Sequence, residues 1–124
     1  MNIPANLKYS NDHEWVKVDG DIATVGITEF AQGQLGDVVF VDIQTEGETL
    51  DKNEVFGAIE AVKTVADALM PVSGKIIEVN AGLENSPESV NNDPYGAGWM
   101  VKIQMSDPSE VDSLLDPVAY KAIL

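Results

Sequence analysis

The stretch Gly57–Gly74, GAIEAVKTVADALMPVSG, places a single lysine between two short segments rich in apolar residues. The runs on either side of Lys63, EVFGAIEAV and TVADALMPV, have the composition of β-strands. The sequence therefore predicts a β-hairpin with Lys63 at its tip. An enzyme can reach the amine on such an exposed, rigid tip and join it to a carboxylic-acid cofactor through an amide. On spacing alone, an ordinary exposed lysine in a turn is the simpler interpretation.

Most of the remaining chain is also predicted to form strands. HEWVKVDGDIATVGIT contains two extended runs around Asp19-Gly20, a dipeptide that typically forms the turn of a hairpin. In the second run Ala23, Val25 and Ile27 share one face, as alternation requires. GDVVFVDI, GKIIEVN and WMVKIQM are further strand candidates, and the last alternates with Trp99, Val101, Ile103 and Met105 on one side.

Short helical segments are predicted near residues 28–33 and at the C-terminus. Thr28 is placed to cap the first segment, which is expected to end near Gly33. In SDPSEVDSLL, Asp107 is the predicted N-cap and Glu110 occupies the capping-box position. DPVAYKAIL repeats the aspartate–proline start, so a short helix or a pair of helices closes the chain.

A faint internal repeat flanks the lysine. Residues 36–41, GDVVFV, resemble residues 74–79, GKIIEV, and each copy is followed by a polar turn and then by a Glu-Val or Ser-Val pair. If the match is more than chance, the two halves form a quasi-symmetric β-sandwich with Lys63 on the hairpin that connects them. The segment from Ala81 to Tyr95 is rich in Asn, Ser and Pro and is predicted to be a loop.

Composition limits the classes of function. The 124 residues predict one domain, residues 1–124, and the lack of cysteine excludes disulfides and thiol chemistry. A net charge of −14, with seven lysines and no arginine, argues against binding to nucleic acid or to an anionic membrane. The acidic surface suits either solubility or docking on basic patches of larger partners. The N-terminus lacks the features of a signal or transit peptide, which predicts a cytoplasmic protein if no presequence was trimmed.

The inventory of catalytic side chains is thin. The only histidine, His13, is expected to have a structural or surface role. No spacing matches a metal-binding loop or a nucleophile elbow. The residues therefore argue against an independent active site.

The chain resembles the lipoyl-carrying H protein family of the glycine cleavage system along nearly its whole length. The resemblance is carried by YSNDHEWVKVDGDIATVGITEFAQGQLGDVVFVDIQTEGETL, GAIEAVKTVADALMPVSGKIIEVN, NNDPYGAGWMVKI and DPSEVDSLLDPVAYKAI. It implies a mainly β, barrel-sandwich hybrid fold with a lipoyl-lysine on a hairpin turn. This agrees with the prediction made from the repeat.

The resemblance also implies roles for particular residues. Lys63 stands at the position of the lipoylated lysine, so lipoate is expected in amide linkage to it. Glu60 and Gly47 are expected to mark the hairpin for the lipoylating enzyme, with Gly47 in a turn that packs nearby. Glu14 and Asp67 match acidic positions that help to hold the aminomethyl-loaded arm, because a carboxylate in a partly dry cleft binds a protonated amine.

Three positions depart from the pattern of many relatives. Ala61 and Ala66 stand where many relatives have serine, and Gln34 stands where some have histidine. Lipoyl attachment is expected to survive these differences, because the lipoylating enzyme mostly recognises the shape of the hairpin and the position of the lysine.

The mechanism that the resemblance implies is carriage rather than catalysis. A lipoyl group on Lys63 takes an aminomethyl group from glycine at a pyridoxal-phosphate glycine decarboxylase (P protein). A tetrahydrofolate-dependent aminomethyltransferase (T protein) then removes it, and dihydrolipoamide dehydrogenase (L protein) reoxidises the arm. A lipoate ligase or lipoyl transferase is the fourth expected partner.

Several alternatives stay open on the residues alone. A biotinyl carrier domain typically has Glu-Ala-Met-Lys-Met around its lysine, whereas residues 60–64 read Glu-Ala-Val-Lys-Thr. Lipoyl domains of oxo-acid dehydrogenases are shorter and lack the HEW start. An H-like protein that relays lipoate outside glycine cleavage needs the same lysine and the same hairpin. A free-standing enzyme is disfavoured by the thin inventory of catalytic side chains.

Overall fold

The computed structural model describes all residues, 1–124, and consists of nine strands and five short helical segments. The strands are β1 (Lys8–Tyr9), β2 (Glu14–Asp19), β3 (Ile22–Ile27), β4 (Val38–Asp42), β5 (Thr49–Leu50), β6 (Val55–Ala61), β7 (Val65–Leu69), β8 (Gly74–Val79) and β9 (Val101–Met105). The α-helices are α1 (Glu29–Leu35), α2 (Gly82–Asn85), α3 (Ser89–Asn92) and α4 (Pro117–Ala122), and a 3₁₀ helix spans Pro108–Ser113.

The strands form two sheets. The larger sheet has the order β1-β2-β3-β9-β8-β5 and the smaller sheet has the order β4-β6-β7. Neighbouring strands are antiparallel in both sheets. The prediction of a mainly β fold with a short helix after β3 and helices at the C-terminus is therefore confirmed.

One apolar core holds most of the structure together. Ala23, Val25 and Ile27 all lie in it, which confirms the face predicted for β3. From the smaller sheet, Ile59 and Ala68 face the same core. Burying a side chain of the size of valine or isoleucine contributes about 1.5–3 kcal/mol, so this face fixes the register of the strands.

A second, smaller cluster joins the two ends of the chain. Tyr9 and Tyr120 stack with ring centroids 4.5 Å apart, and Leu7 and Trp15 complete the cluster. Leu115 donates its N–H to the carbonyl of Tyr9 at 2.7 Å, and Tyr9 donates back at 2.9 Å. The C-terminal segment is thus hydrogen-bonded to the edge strand β1.

Two predicted boundaries move by one or two residues. The turn between β2 and β3 is centred on Gly20-Asp21, because Asp19 pairs with Ile22. Gly20 has φ +63°, a conformation that glycine adopts without a steric cost. Helix α1 begins after the predicted cap, with Ala31 donating its N–H to Thr28 Oγ1, but it continues through Gly33 to Leu35.

The predicted loop and the predicted repeat are corrected by the structure. The segment between β8 and β9 contains the helices α2 and α3, so Ser89-Val90 begins a helical turn and does not match Glu54-Val55, where β6 begins. The repeat is therefore limited to β4 and β8. Trp99 also lies outside β9 and packs against the smaller cluster, because strand pairing begins at Val101.

The predicted capping box in the C-terminal segment does not form. Asp107 is the N-cap, accepting from the Ser109 N–H, as expected. The Glu110 carboxylate instead accepts the N–H of Ser73 at 2.7 Å and the Ser73 hydroxyl at 3.0 Å. A tertiary contact has replaced the local one.

No helix in the structure combines the length and the apolar character that a membrane span requires.

Candidate functional site

The lysine singled out by the sequence lies at the tip of a two-stranded hairpin. β6 and β7 pair up to Glu60 and Val65, and Ala61 donates its N–H to the carbonyl of Thr64 at 2.8 Å to close the turn. Lys63 is exposed at this tip. The predicted position of Lys63 on the hairpin is confirmed.

The tip does not project freely, because it rests on the turn that follows α1. We call this turn, Gly36–Val38, the lysine seat. Val62 donates its N–H to the carbonyl of Asp37 at 3.0 Å. The side chain of Lys63 lies along Gly36, since a methyl group built on Gly36 would come within 3.2 Å of Lys63 Cε. Gly36 has φ +80°, so both its backbone conformation and this contact favour glycine.

The outward face of the smaller sheet combines carboxylates with apolar side chains. Glu60 lies opposite Phe40 on β4 and Val65 on β7, and Ala58 lies opposite Asp42 and Asp67. Directly opposed residues project from the same face of a sheet. Phe40 and Val65 remain 47% and 62% exposed. We call this face the outer hairpin face, made of Phe40, Asp42, Ala58, Glu60, Val65 and Asp67.

Glu14 is a buried carboxyl near the base of β7. Its Oε1 accepts the Ser10 hydroxyl at 2.5 Å, and its own N–H is donated to Ser10 Oγ at 3.1 Å. Burial raises the pKa of Glu14 to about 7, and the charge of Asp12 adds to the shift. The Ser10 hydroxyl and a backbone hydrogen bond from Leu69 lower the pKa and offset part of that rise.

The two predicted acidic residues lie along the same strand of the hairpin. The contact of Glu14 with Leu69 places it at the end of β7, two residues beyond Asp67. Two residues of a strand span about 7 Å, so a molecule lying along β7 from the tip would pass Asp67 before it reached Glu14. Asp67 is exposed, whereas Glu14 is only 3% exposed.

Gly47 is not part of this group. Its N–H is donated to the carbonyl of Ile76 on β8 at 2.7 Å, and nearby Thr45 donates its hydroxyl to the carbonyl of Phe56 at 2.7 Å. Phe56 is five residues before Ala61, which is about 17 Å along a strand. The expectation that Gly47 packs near Lys63 is therefore wrong: it lies near the opposite end of β6.

His13 has the structural role that the sequence indicated. Its Nδ1 lies 2.9 Å from the hydroxyl of Tyr120, which lies 2.7 Å from Thr28 Oγ1. The ring of His13 also contacts Phe30, with centroids 4.7 Å apart. Burial lowers the pKa of His13 despite the opposing charge of Asp12. This network connects α4 to the beginnings of β2 and α1.

One functional candidate was missed from the sequence. The side chain of Asn91, on α3, accepts the Val38 N–H at 2.8 Å. It also donates to the carbonyl of Gly36 at 2.8 Å and to Gln32 Oε1 at 2.9 Å. Asn91 lies in a segment that the sequence marks only as polar, so no local signal distinguishes it from its neighbour Asn92.

No group of three or more His, Asp or Glu side chains is arranged to hold a metal ion.

Comparison with known proteins gives a consistent result. The family profile described as "Glycine cleavage H-protein" matches residues 7–124. The glycine cleavage system H protein of Bacteroides thetaiotaomicron is 58% identical over 124 residues, covering 100% of this chain and 98% of that protein. The H protein of Symbiobacterium thermophilum is 58% identical over 121 residues, covering 98% of this chain and 94% of that protein.

A solved structure shows that the fold is shared as well. The glycine cleavage system H protein from Mycobacterium marinum superposes with a TM-score of 0.88 at 39% identity, and the match covers 98% of each chain. The expected barrel-sandwich hybrid is thereby confirmed. With this profile match and these full-length relatives, the chain belongs to the glycine cleavage H-protein family, the lipoyl carriers of the glycine cleavage system.

Proposed function

We propose that Lys63 bears the lipoyl group with which this family member serves glycine cleavage, and that the protein has no catalytic step of its own. The observation that carries the proposal is the position of Lys63. It is the exposed lysine at the tip of a closed hairpin whose backbone is hydrogen-bonded to the body of the protein. A modifying enzyme can therefore reach the amine of Lys63 while the surrounding backbone stays fixed.

The residues around Lys63 suit a long arm with a cationic cargo. A lipoyl group supplies a disulfide at the end of a flexible arm, which accepts the aminomethyl group of glycine. Asp67 offers an exposed carboxylate partway along β7, and Glu14 offers a buried carboxyl at its end. An ammonium group beside Glu14 lowers the pKa of that carboxyl and forms a charge-assisted hydrogen bond with it. The burial of Glu14 would also shield the cargo from water.

The proposed partners are those of the cleavage cycle. They are the pyridoxal-phosphate glycine decarboxylase, the tetrahydrofolate-dependent aminomethyltransferase, dihydrolipoamide dehydrogenase, and a lipoate ligase or lipoyl transferase. The outer hairpin face supports this proposal because it surrounds Lys63 with carboxylates and exposed apolar side chains, which suit partners with basic, partly apolar surfaces. Cytoplasmic location stays a prediction, and cell fractionation followed by immunoblotting tests it.

Glu60 is the proposed recognition mark for the lipoylating enzyme. It is exposed at the last strand pair before the tip, three residues from Lys63. Gly47 lies near the other end of β6, so any contribution it makes to recognition would come from a position away from the hairpin tip. Comparing lipoylation rates of Glu60→Gln and of the wild type tests the role of Glu60, with Glu48→Gln as the acidic control beside Gly47.

The first experiment locates the modification. The protein is expressed in a host that makes and attaches lipoate, its intact mass is measured, and any added mass is mapped by peptide sequencing. One lipoyl group on Lys63 is expected in the wild type and in Lys75→Arg, which removes an exposed lysine on β8. Lys63→Arg is expected to take none. Lipoylation of Lys63→Arg would refute the attachment site. An added mass equal to that of biotin would instead indicate a biotinyl carrier of a carboxylase.

The second experiment tests the two carboxyl groups. We expect Glu14→Gln combined with Asp67→Asn to shorten the lifetime of the loaded protein, because neither amide can form an ion pair with the cargo. Asp42→Asn is the control, since Asp42 lies on the other side of Ala58 from Asp67. An unchanged lifetime in the double variant would refute the proposal that Glu14 and Asp67 hold the loaded arm.

A third experiment distinguishes glycine cleavage from a lipoyl relay. A strain lacking the gene is grown with glycine as the nitrogen source and complemented with the wild type or with Lys63→Arg. Restoration by the wild type alone is the expected result. Normal growth of the uncomplemented strain on glycine would instead point to a relay role.

A further inference from the structure

We propose that Asn91 is a positioning residue for lipoylation, because it holds the lysine seat in the orientation that receives the hairpin tip. The inference rests on the proposed function only where it concerns the lipoylating enzyme. Its structural part concerns a chain of hydrogen bonds from Asn91 through the seat to Val62. The hydrogen-bond partners of Asn91 are Val38, Gly36 and Gln32 and do not include Lys63, so it would act through the backbone between them.

The central step is a single peptide unit. The Val38 N–H and the Asp37 carbonyl belong to the same peptide group, which is planar, and no peptide bond in the protein is cis. In a trans peptide these two groups point in opposite directions. The N–H is donated to Asn91 Oδ1 at 2.8 Å, and the carbonyl accepts the Val62 N–H at 3.0 Å. Fixing one side of this plane therefore aims the other side at the hairpin tip.

The amide group of Asn91 fixes the neighbouring peptide as well. Its Nδ2 donates to the carbonyl of Gly36 at 2.8 Å and to Gln32 Oε1 at 2.9 Å. Both donor hydrogens and the acceptor oxygen of Asn91 are thus engaged, which leaves the side chain one orientation. The seat needs this support, because Gly36 has φ +80° and glycine restricts the backbone less than any other residue.

The consequence for lipoylation follows from the order of the tip. A ligase that grips the hairpin must bind it in one conformation. If the tip is already held by the seat, binding costs less conformational entropy. Loss of Asn91 should therefore weaken recognition of the unmodified protein and leave the chemistry at the Lys63 amine unchanged. The expected signature is a higher KM for the protein substrate with a similar kcat.

The experiment compares Asn91→Ala, Asn91→Asp and Asn92→Ala. Asn92 is the matched control, because it is an exposed asparagine on the same short helix. Hydrogen exchange of the Val62 amide is measured by NMR on the unlipoylated protein. The KM and kcat for lipoylation are measured by intact mass with lipoate, ATP and a lipoate ligase. Urea unfolding of each variant, beside a core variant of similar stability such as Ile103→Val, separates local from global loosening.

We expect Asn91→Ala to speed exchange at Val62 about tenfold, the effect of losing roughly one net hydrogen bond, and to raise KM by a similar factor. Asn91→Asp keeps an acceptor for Val38 but sets a carboxylate oxygen against the Gly36 carbonyl, so it should also lose protection at Val62. Asn92→Ala and Ile103→Val should preserve all of the protection. No loss of protection in either Asn91 variant, or an equal loss in Asn92→Ala, would overturn the inference. Should Asn91→Ala fail to fold, Gln32→Ala, which removes one of the three bonds, is expected to give a smaller increase at Val62, and no increase would overturn it.

The two readouts separate this inference from the proposed function. If Lys63 takes no lipoyl group even in the wild type, the proposed function fails, while exchange at Val62 still tests the link through the seat. If lipoylation of Lys63 proceeds and Val62 exchange is unaffected in Asn91→Ala, the inference fails and the proposed function stands.

Discussion

Glu14 shows how one side chain can take on a property that its residue type does not have. A glutamate at the start of a strand, like Glu14 in β2, is ordinarily ionised at neutral pH. Here burial removes most of the water around the carboxyl and raises its pKa to about 7. The Ser10 hydroxyl, 2.5 Å from Oε1, provides a partner for the carboxyl in either protonation state. A carboxyl with this pKa can respond to an ammonium group by ionising.

The raised pKa of Glu14 gives stability a defined pH dependence. The pKa of Glu14 is about 7 in the folded state, whereas the ordinary value is 4.5. The stability contributed by the neutral carboxyl is therefore fully present below pH 4.5 and is lost as the pH rises through 7. Glu14→Gln should remove that loss. The free energy of unfolding of the variant should therefore rise relative to that of the wild type by up to about 3 kcal/mol from pH 5 to pH 8. Urea unfolding at both pH values measures the difference. A constant difference between the two proteins would contradict the prediction.

The C-terminal 3₁₀ helix shows how an element can be fixed by a contact that local sequence rules do not anticipate. Its N-cap is the expected Asp107, but Glu110 leaves the local capping box and binds both polar groups of Ser73. Ser73 in turn accepts the N–H of Lys52 at 2.8 Å. The 3₁₀ helix is thereby attached to the turn between β7 and β8, at the base of the lysine hairpin.

Removal of the Glu110 carboxylate should destabilise the protein measurably. Glu110→Ala leaves the N–H of Ser73 without its partner, and such a loss costs about 1–3 kcal/mol. Asp112→Ala is the control, because Asp112 is an exposed acidic residue on the same 3₁₀ helix and should change stability by no more than about 0.5 kcal/mol. Thermal and urea unfolding measure both variants. Similar effects of the two substitutions would show that the contact with Ser73 contributes nothing specific.

The whole molecule carries a strong excess of negative charge with little internal neutralisation. The net charge is −14, and the structure contains one ion pair, between Lys102 and Glu78 at 3.7 Å. That pair is half exposed, so its contribution to stability is small. Repulsion among carboxylates therefore outweighs attraction across the surface, which lowers the stability of the folded state and favours encounter with basic partners.

Salt should stabilise this protein at neutral pH. Raising NaCl from about 0.01 M to about 0.15 M shortens the screening length from about 30 Å to about 8 Å and weakens the repulsion. We expect a gain of roughly 1 kcal/mol, or about 4 °C in Tm, measured by calorimetry. Near pH 4.1, the isoelectric point, the gain should vanish. A fall in Tm with salt at pH 7 would show that attractive pairs dominate.

The sequence by itself determined much of the local structure and the position of the lysine. Alternation fixed the buried face of β3, and capping residues fixed the starts of α1, the 3₁₀ helix and α4, because each of these signals depends only on residues close in the chain. Lys63 was placed at a hairpin tip for the same reason. The resemblance of the full chain added the family, which the comparisons confirmed.

Only the tertiary structure decided which distant groups meet. Asn91 reaches Gly36 and Val38, Glu110 reaches Ser73, and Gly47 lies at the far end of β6 from Lys63. The buried state of Glu14, and with it the raised pKa, also comes from packing. These contacts join residues tens of positions apart, and a polar side chain can satisfy its hydrogen bonds in many ways until the fold fixes its neighbours.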